Sequence, residues 1–355
     1  MNVADFDYDL PASYIAQTPA EPRDSAKLLR LDRKSGALSH HVFGDIVDML
    51  GGDDVLVLNN SRVIRARLNA MKAKSGGKAE ILLLKPLTDV RWLALVGGRN
   101  IGEGATLNIP GSDATCTVIK ELEKSQREIE FRQPVRELLA MHGELPLPPY
   151  IREQLADSER YQTVYSEIEG SAAAPTAGLH FTRDLLDNLK RRGIKLAICT
   201  LHIGLDTFQP VVAERLRDHK IHREYATLDQ HNTRIINEAR QAGGRVVTVG
   251  TTAARTIETS AILAAGGDPS KPSPTAPPDR ERPLRAFEAQ TGLFIYPGYQ
   301  WRAVDALITN FHLPRSTLLM MLSAFVGREA LLASYETAKK MNYRFYSFGD
   351  AMFIT

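Results

Sequence analysis

Beyond Tyr150 the chain alternates helical and strand patterns, and no other feature narrows the fold as far. Thr182 opens a helix in which Leu185, Leu186 and Leu189 share one face, and Gly193 closes it. Phe181 and Leu186 stand at the two positions of a hydrophobic staple around that cap. Strands are expected over 194–203 and 245–249, with a helix over 233–241 between them and another from Gly250 onward. Strands at 293–296 and 306–309 then precede helices at 316–326 and 328–341. Such alternation predicts a layered α/β domain, with ligands gathering beyond the carboxyl ends of the strands.

The first strand of that domain is Val55-Leu56-Val57-Leu58, which delivers Asn59-Asn60-Ser61-Arg62 to its end. From about 65 to 131 the texture changes to short strands at 79–84, 91–96 and 115–119 between Gly-rich breaks. Strands at this spacing predict a small antiparallel, barrel-like domain. A short helix at 134–141 and the exit Leu145-Pro146-Leu147-Pro148-Pro149-Tyr150 follow. The expected fold is therefore a layered α/β main domain, 1–64 plus 151–355, carrying an inserted β-rich domain, 65–150. Residues 268–285, with six prolines, read as an extended surface loop.

Composition trims the function classes without choosing one. The longest apolar run, 317–326, is about half of what a bilayer requires, so no membrane role is expected. An acidic opening with no basic-then-apolar pattern predicts no secretory leader. Cys116 and Cys199 lie far apart and outside metal-type spacings, which fits a reducing cytoplasm and no metal. A net charge of +2 is neutral on nucleic acid, because a local basic face can bind phosphate while the total stays small. No Walker loop and no Gly-x-Ser-x-Gly elbow is present.

Polar clusters stand at the expected strand ends. Besides Asn59 to Arg62, these are Leu201 to Asp206, Gly250 to Arg255 and Thr309 to Ser316. Ala174-Pro175-Thr176-Ala177-Gly178-Leu179-His180-Phe181 reads as a turn entering a helix N-terminus, suited to a carboxylate or phosphate. Each cluster also has a plainer explanation. Asn59 and Asn60 can form an Asx turn, and Thr251 or Thr252 can cap a helix. His180, His202 and His312 can be core histidines, and Arg62, Arg65 and Arg67 the solvent face of one strand. Five clusters converging on strand ends favour a site.

Longer strings sharpen this. Gly170 to Phe181, Leu58 to Val63, Thr309 to Pro314, Leu293 to Tyr299 and Tyr343 to Met352 together resemble the S-adenosylmethionine:tRNA ribosyltransferase-isomerases, the QueA family. The opening, 6–30, is similar as well, so the resemblance runs the length of the chain. Asp206 departs from it, standing where the family has a second glycine. Ala289-Gln290-Thr291-Gly292 departs from the usual Gly-Glu-Thr-Asp.

The resemblance implies that the ribosyl part of S-adenosylmethionine, the co-substrate, is transferred to 7-aminomethyl-7-deazaguanine in a tRNA anticodon. Rearrangement to epoxyqueuosine then releases adenine and methionine. A sulfonium acidifies the neighbouring C5′ hydrogen, adenine leaves with a proton donor on its ring, and the incoming amine must be neutral. Histidine suits such shuttling near neutral pH. His180 and His312 are expected nearest the ribose, with His202 as a third candidate. Substrate-binding candidates are Asn59, Asn60, Arg62, Pro175, Thr176, Gly178, Leu179, Thr251, Thr252, Arg255, Asn310, Tyr343, Arg344 and Tyr346. The arginines suit tRNA phosphate or the methionine carboxylate, and the tyrosines suit either stacking on a base or packing in the core. The chain is expected to act as a cytoplasmic monomer, with the anticodon loop in a cleft between its domains. Two rival readings are a catalytically inactive tRNA-binding homologue and an ordinary methyltransferase. The second lacks its Gly-x-Gly loop and acidic ribose ligand.

Overall fold

A computed structural model describes residues 1–355 apart from 123, 124, 154, 205–210, 212, 220 and 272–278. Asp206 and the middle of the proline-rich stretch thus lie outside the described residues. The strands are β1 (Lys27–Leu31), β2 (Leu38–Val42), β3 (Val55–Asn59), β4 (Ser61–Val63), β5 (Arg67–Lys72), β6 (Lys78–Pro86), β7 (Arg91–Gly97), β8 (Thr106–Asn108) and β9 (Thr115–Glu121). They continue as β10 (Gln126–Phe131), β11 (Ile168–Ser171), β12 (Lys195–Leu201), β13 (Glu224–Leu228), β14 (Val246–Val249), β15 (Phe287–Thr291), β16 (Ala306–Asn310) and β17 (Ala351–Ile354). The helices are α1 (Ile46–Met49), α2 (Arg136–His142), α3 (Arg183–Arg191), α4 (Gln230–Gln241), α5 (Gly250–Ala264), α6 (Thr317–Val326) and α7 (Arg328–Lys340).

The chain divides into two compact units. The larger contains Met1–Arg62, Pro149–Glu169 and Ala174–Thr355; the smaller contains Val63–Pro148 and Gly170–Ala173. In the smaller unit β10-β7-β6-β5-β8-β9 closes into an antiparallel barrel. Alternate residues such as Leu68, Ile81, Leu83, Ala94, Val118 and Ile129 point inward and fill it. Closure removes the exposed edges that short strands would otherwise present.

The larger unit is built on a nine-stranded sheet in the order β15-β13-β12-β3-β14-β16-β17-β1-β2. Its middle four strands, β12, β3, β14 and β16, run parallel, and antiparallel strands flank them. β3 is followed in sequence by β12 on one side and later by β14 on the other. The strand order therefore reverses at β3, the place where open α/β sheets form a ligand crevice.

Local sequence explains the elements that frame this crevice. Thr182 caps α3 by accepting from the Leu185 N–H at 3.1 Å. The buried face Leu185, Leu186 and Leu189 joins Phe181, Phe43 and Ile46 on one side of the sheet. Each leucine so buried contributes about 1.5–3 kcal/mol. Ser316 caps α6 and Asp229 caps α4, which starts three residues earlier than its apolar pattern suggests. Among the described residues no single helix is long and apolar enough to cross a membrane.

Four expectations are corrected. Two strands, β1 and β2, precede Val55, which is therefore not the first of the sheet. Arg62 and Arg67 lie on separate strands, β4 and β5, rather than on one continuous face. Residues 293–296 are not a strand; β15 ends at Thr291. Side chains hold the backbone there instead, since Leu293 O accepts from Arg255 Nε at 3.1 Å and Leu293 N–H donates to Thr291 Oγ1 at 3.3 Å. Buried Glu258 accepts from Tyr299 Oη and from the N–H groups of Arg302, Ala303 and Val304 at 2.7–3.0 Å. The Thr176–Leu179 turn belongs to a five-residue 3-10 helix, with α3 beginning only at Arg183. It is no α-helix N-terminus for an anion.

Candidate active site

Strand register locates the crevice floor. Leu196, Leu56, Val247 and Ala306 lie level across the four parallel strands. Two residues further on come Ile198, Leu58, Val249 and Ile308, all packed into or against the same apolar cluster. Because side chains repeat every second residue, the next step along that face is Thr200, Asn60 and Asn310. The β14 segment turns into α5 at Gly250. One face of the sheet thus changes from apolar to polar at its carboxyl edge. Thr200 Oγ1 donates to Asn60 Oδ1 at 2.7 Å, tying two members of this polar row together.

The Thr176–His180 turn lies on the row. Thr176 Oγ1 donates to Asn310 Oδ1 at 2.9 Å, and Asn310 Nδ2 lies 3.2 Å from His180 Nε2. An amide nitrogen only donates, so His180 Nε2 is the acceptor and the ring is neutral with its proton on Nδ1. Burial pulls the His180 pKa from 6.5 to about 3, with the nearby Arg344 and Arg23 guanidinium groups adding to the effect. Phe43 stacks on the imidazole at 4.9 Å and 29°. Gly178 is dictated by space: a Cβ there would lie 2.0 Å from Tyr165 Oη and 2.8 Å from Thr163 Cγ2. Pro175 O accepts from the Gly178 N–H at 2.8 Å, and Leu179 is buried.

His312 follows two residues after Asn310. Its Nε2 lies 2.8 Å from Thr309 Oγ1, and burial holds its pKa near 3. His202 stands one residue past β12, ring-stacked on Tyr225 at 5.6 Å, with Nδ1 buried and unpartnered. Burial lowers its pKa too. By strand alternation His202 faces the same side as Thr200. The turn carrying His180 and the strand end carrying Asn310 and His312 therefore meet, as the motifs predict, and Thr200 and Asn60 belong to the same polar edge.

Other candidates have different jobs. Asn59 spends all four of its hydrogen bonds inside the protein, on Leu201 O, Thr252 Oγ1, Ser61 N and Leu201 N. It fastens β3 to β12 and α5 and has nothing left for a ligand. Asn60 Nδ2 donates to Glu167 at 3.3 Å. Arg62 pairs with Glu159 and donates to Ser166 Oγ at 3.0 Å. Thr251 is buried at the start of α5, where a Cβ added at Gly250 would lie 3.7 Å from the Ala177 Cβ. Arg255 is buried in an ion pair with Glu224, too deep for a tRNA phosphate, yet its Nη2 has no partner. Arg344 donates to Thr18 O at 3.2 Å and faces Asp350.

Tyr343 and Tyr346 do not offer faces to a base. Tyr343 is 2% exposed, its hydroxyl 2.9 Å from His40 Nδ1 and its ring against Phe311. Tyr346 is 5% exposed and packs on Tyr150 at 4.9 Å. The aromatic run was a core signal.

Sequence reasoning missed Phe43, Arg23 and Tyr165 at the His180 turn. Arg23 bonds Gln162 O at 2.8 Å and Glu159 O at 3.0 Å, joining segments some 140 residues apart. Nothing local to these residues signals the role; Arg23 lies only within the opening similar to the QueA family. Among the described residues no group of three or more His, Cys, Asp or Glu side chains is set to hold a metal ion.

A family profile described as "Queuosine biosynthesis protein" matches residues 3–354. Among solved structures, the chain is similar to an S-adenosylmethionine tRNA ribosyltransferase from Thermotoga maritima. The two share 36% identity, over 99% of this chain and 100% of that one, with a TM-score of 0.54.

Proposed function

This chain belongs to the queuosine biosynthesis family, and from that premise we propose that it transfers and isomerises the ribosyl group of S-adenosylmethionine onto a tRNA base. The acceptor in this reading is 7-aminomethyl-7-deazaguanine at the anticodon wobble position, and the product is epoxyqueuosine. The observation that carries the reading is the locked contact of Thr176, Asn310 and neutral His180 on the polar strand edge.

The chemistry asks for groups that accept a proton without stranding charge in a dry site. S-adenosylmethionine brings a sulfonium cation, and removal of the C5′ proton passes that positive charge to the base. No net charge is created, so a buried neutral imidazole can take the proton despite its low pKa in the free protein. His312, held neutral by burial, meets this requirement, while His180, whose Nε2 lone pair is taken by Asn310, stays neutral beside it with Nδ1–H as a donor. Asn310 orients His180, much as a fixed hydrogen bond sets a tautomer. The unpartnered Nη2 of Arg255 supplies a donor for the methionine carboxylate, and His202 Nδ1 a further polar contact. Water exclusion in such a crevice strengthens each of these interactions.

The test is a product assay. Incubation with S-adenosylmethionine and tRNA bearing the aminomethyl precursor should yield free adenine and methionine in equal amounts and no S-adenosylhomocysteine. S-adenosylhomocysteine would mark a methyltransferase, and neither product would mark a tRNA-binding protein without turnover.

A further inference from the structure

The peptide of His312 is gripped from both sides by tyrosines far away in sequence. Tyr8 Oη donates to His312 O at 2.5 Å, and the His312 N–H donates to Tyr335 Oη at 3.0 Å. The two rings meet edge to face at 5.4 Å, and Tyr335, fully buried on α7, also packs on Phe311 at 5.1 Å. The stretch around Tyr8 is itself tied to the same loop. Phe6 O accepts from the Arg315 N–H at 2.9 Å, Asp7 pairs with Arg315, and Lys339 donates to Asp9 O at 2.7 Å. Arg315 adopts φ +57, a left-handed conformation that is unfavourable for a residue with a Cβ, so the loop needs outside support.

We propose that Tyr8 and Tyr335 are positioning residues that fix the His312 backbone and thereby keep its imidazole aligned on Thr309. The inference rests on the reading of His312 as a proton-transfer group. Thr309 Oγ1 has one proton and two neighbours able to take it, His312 Nε2 at 2.8 Å and Asn310 O at 3.3 Å. When the hydroxyl faces Asn310 O, Nε2–H donates to Thr309 and leaves Nδ1 as the basic nitrogen. A His312 backbone held in one place preserves that choice. Without the Tyr8 hydroxyl the carbonyl is free to turn, and the ring loses its fixed partner.

The test compares Tyr8→Phe, Tyr335→Phe and His312→Ala in the full chain, measuring adenine release and recording the His312 ring nitrogens by ¹⁵N NMR. Tyr8→Phe keeps the ring and its packing. It should lower kcat about five- to tenfold, the size of one lost hydrogen bond, with KM values within about twofold. The His312 nitrogen signals should shift toward a mixture of tautomers, which loss of stability alone does not produce. Tyr335→Phe should behave alike; if that buried change prevents folding, the partly exposed Tyr8 still decides. An inactive His312→Ala beside a Tyr8→Phe with wild-type kcat and ring signals would overturn the positioning role and leave the function standing. A fully active His312→Ala would overturn the assignment of His312 and this inference with it.

Discussion

Acidification should weaken this fold through His180, by an amount the structure sets. The ring is 4% exposed, already accepts from Asn310, and resists protonation down to about pH 3. In the unfolded chain the same histidine titrates near 6.5. Between those values the unfolded state binds more protons than the folded one. Stability is therefore fully present above 6.5 and is lost as pH falls toward 3. From pH 7 to pH 5 the loss from this one residue is about 2 kcal/mol, at about 1.4 kcal/mol for each unit below 6.5. Other groups titrate over the same range, so the informative quantity is a difference. His180→Gln keeps an acceptor for Asn310 but cannot titrate. Urea unfolding of both proteins at pH 7 and pH 5 should show the wild type losing about 2 kcal/mol more than the variant. Equal losses would refute the claim that His180 is held neutral.

Other substitutions test the geometry around it. Gly178→Ala drives a methyl onto Tyr165 Oη and Thr163 Cγ2; thermal melts should show a loss of about 1–3 kcal/mol, less than additive with Tyr165→Phe. Asn310→Ala strands the Thr176 hydroxyl and frees the His180 ring, so adenine release should fall by at least about tenfold, with stability down by about 1–3 kcal/mol. Glu224→Gln leaves the buried Arg255 guanidinium without its carboxylate, and denaturant titration should register a loss of about 3–5 kcal/mol.

What was legible in the sequence was whatever depends on near neighbours. Thr182 announced its helix because a cap bonds three residues ahead. The barrel strands β6, β7 and β9 announced themselves as short apolar runs between glycine-rich breaks. β1 and β2 did not: although they pair locally, β2 is half exposed along its length and the other partner of β1, β17, lies some 320 residues away. Residues 293–296 carry the composition of a strand, but Arg255 and Thr291 claim the Leu293 backbone groups that a neighbouring strand would have used. At the site, His180 and Asn310 were visible as strand-end polar residues in family-like strings. Phe43 and Arg23 beside His180, and Tyr8 at the His312 backbone, were not, because only the sheet topology brings them near. Tyr343 and Tyr346 stayed open for a different reason: an aromatic beside an arginine fits a nucleic-acid surface and a core equally well until its burial is known.

The most direct measurement follows the ribose. With S-adenosylmethionine labelled in its ribosyl carbons, the tRNA should acquire the label in step with adenine release, and Asn310→Ala should slow both together. Label that stays on a nucleoside product, or a methyl group appearing on the tRNA in its place, would contradict the assignment of this crevice to ribosyl transfer.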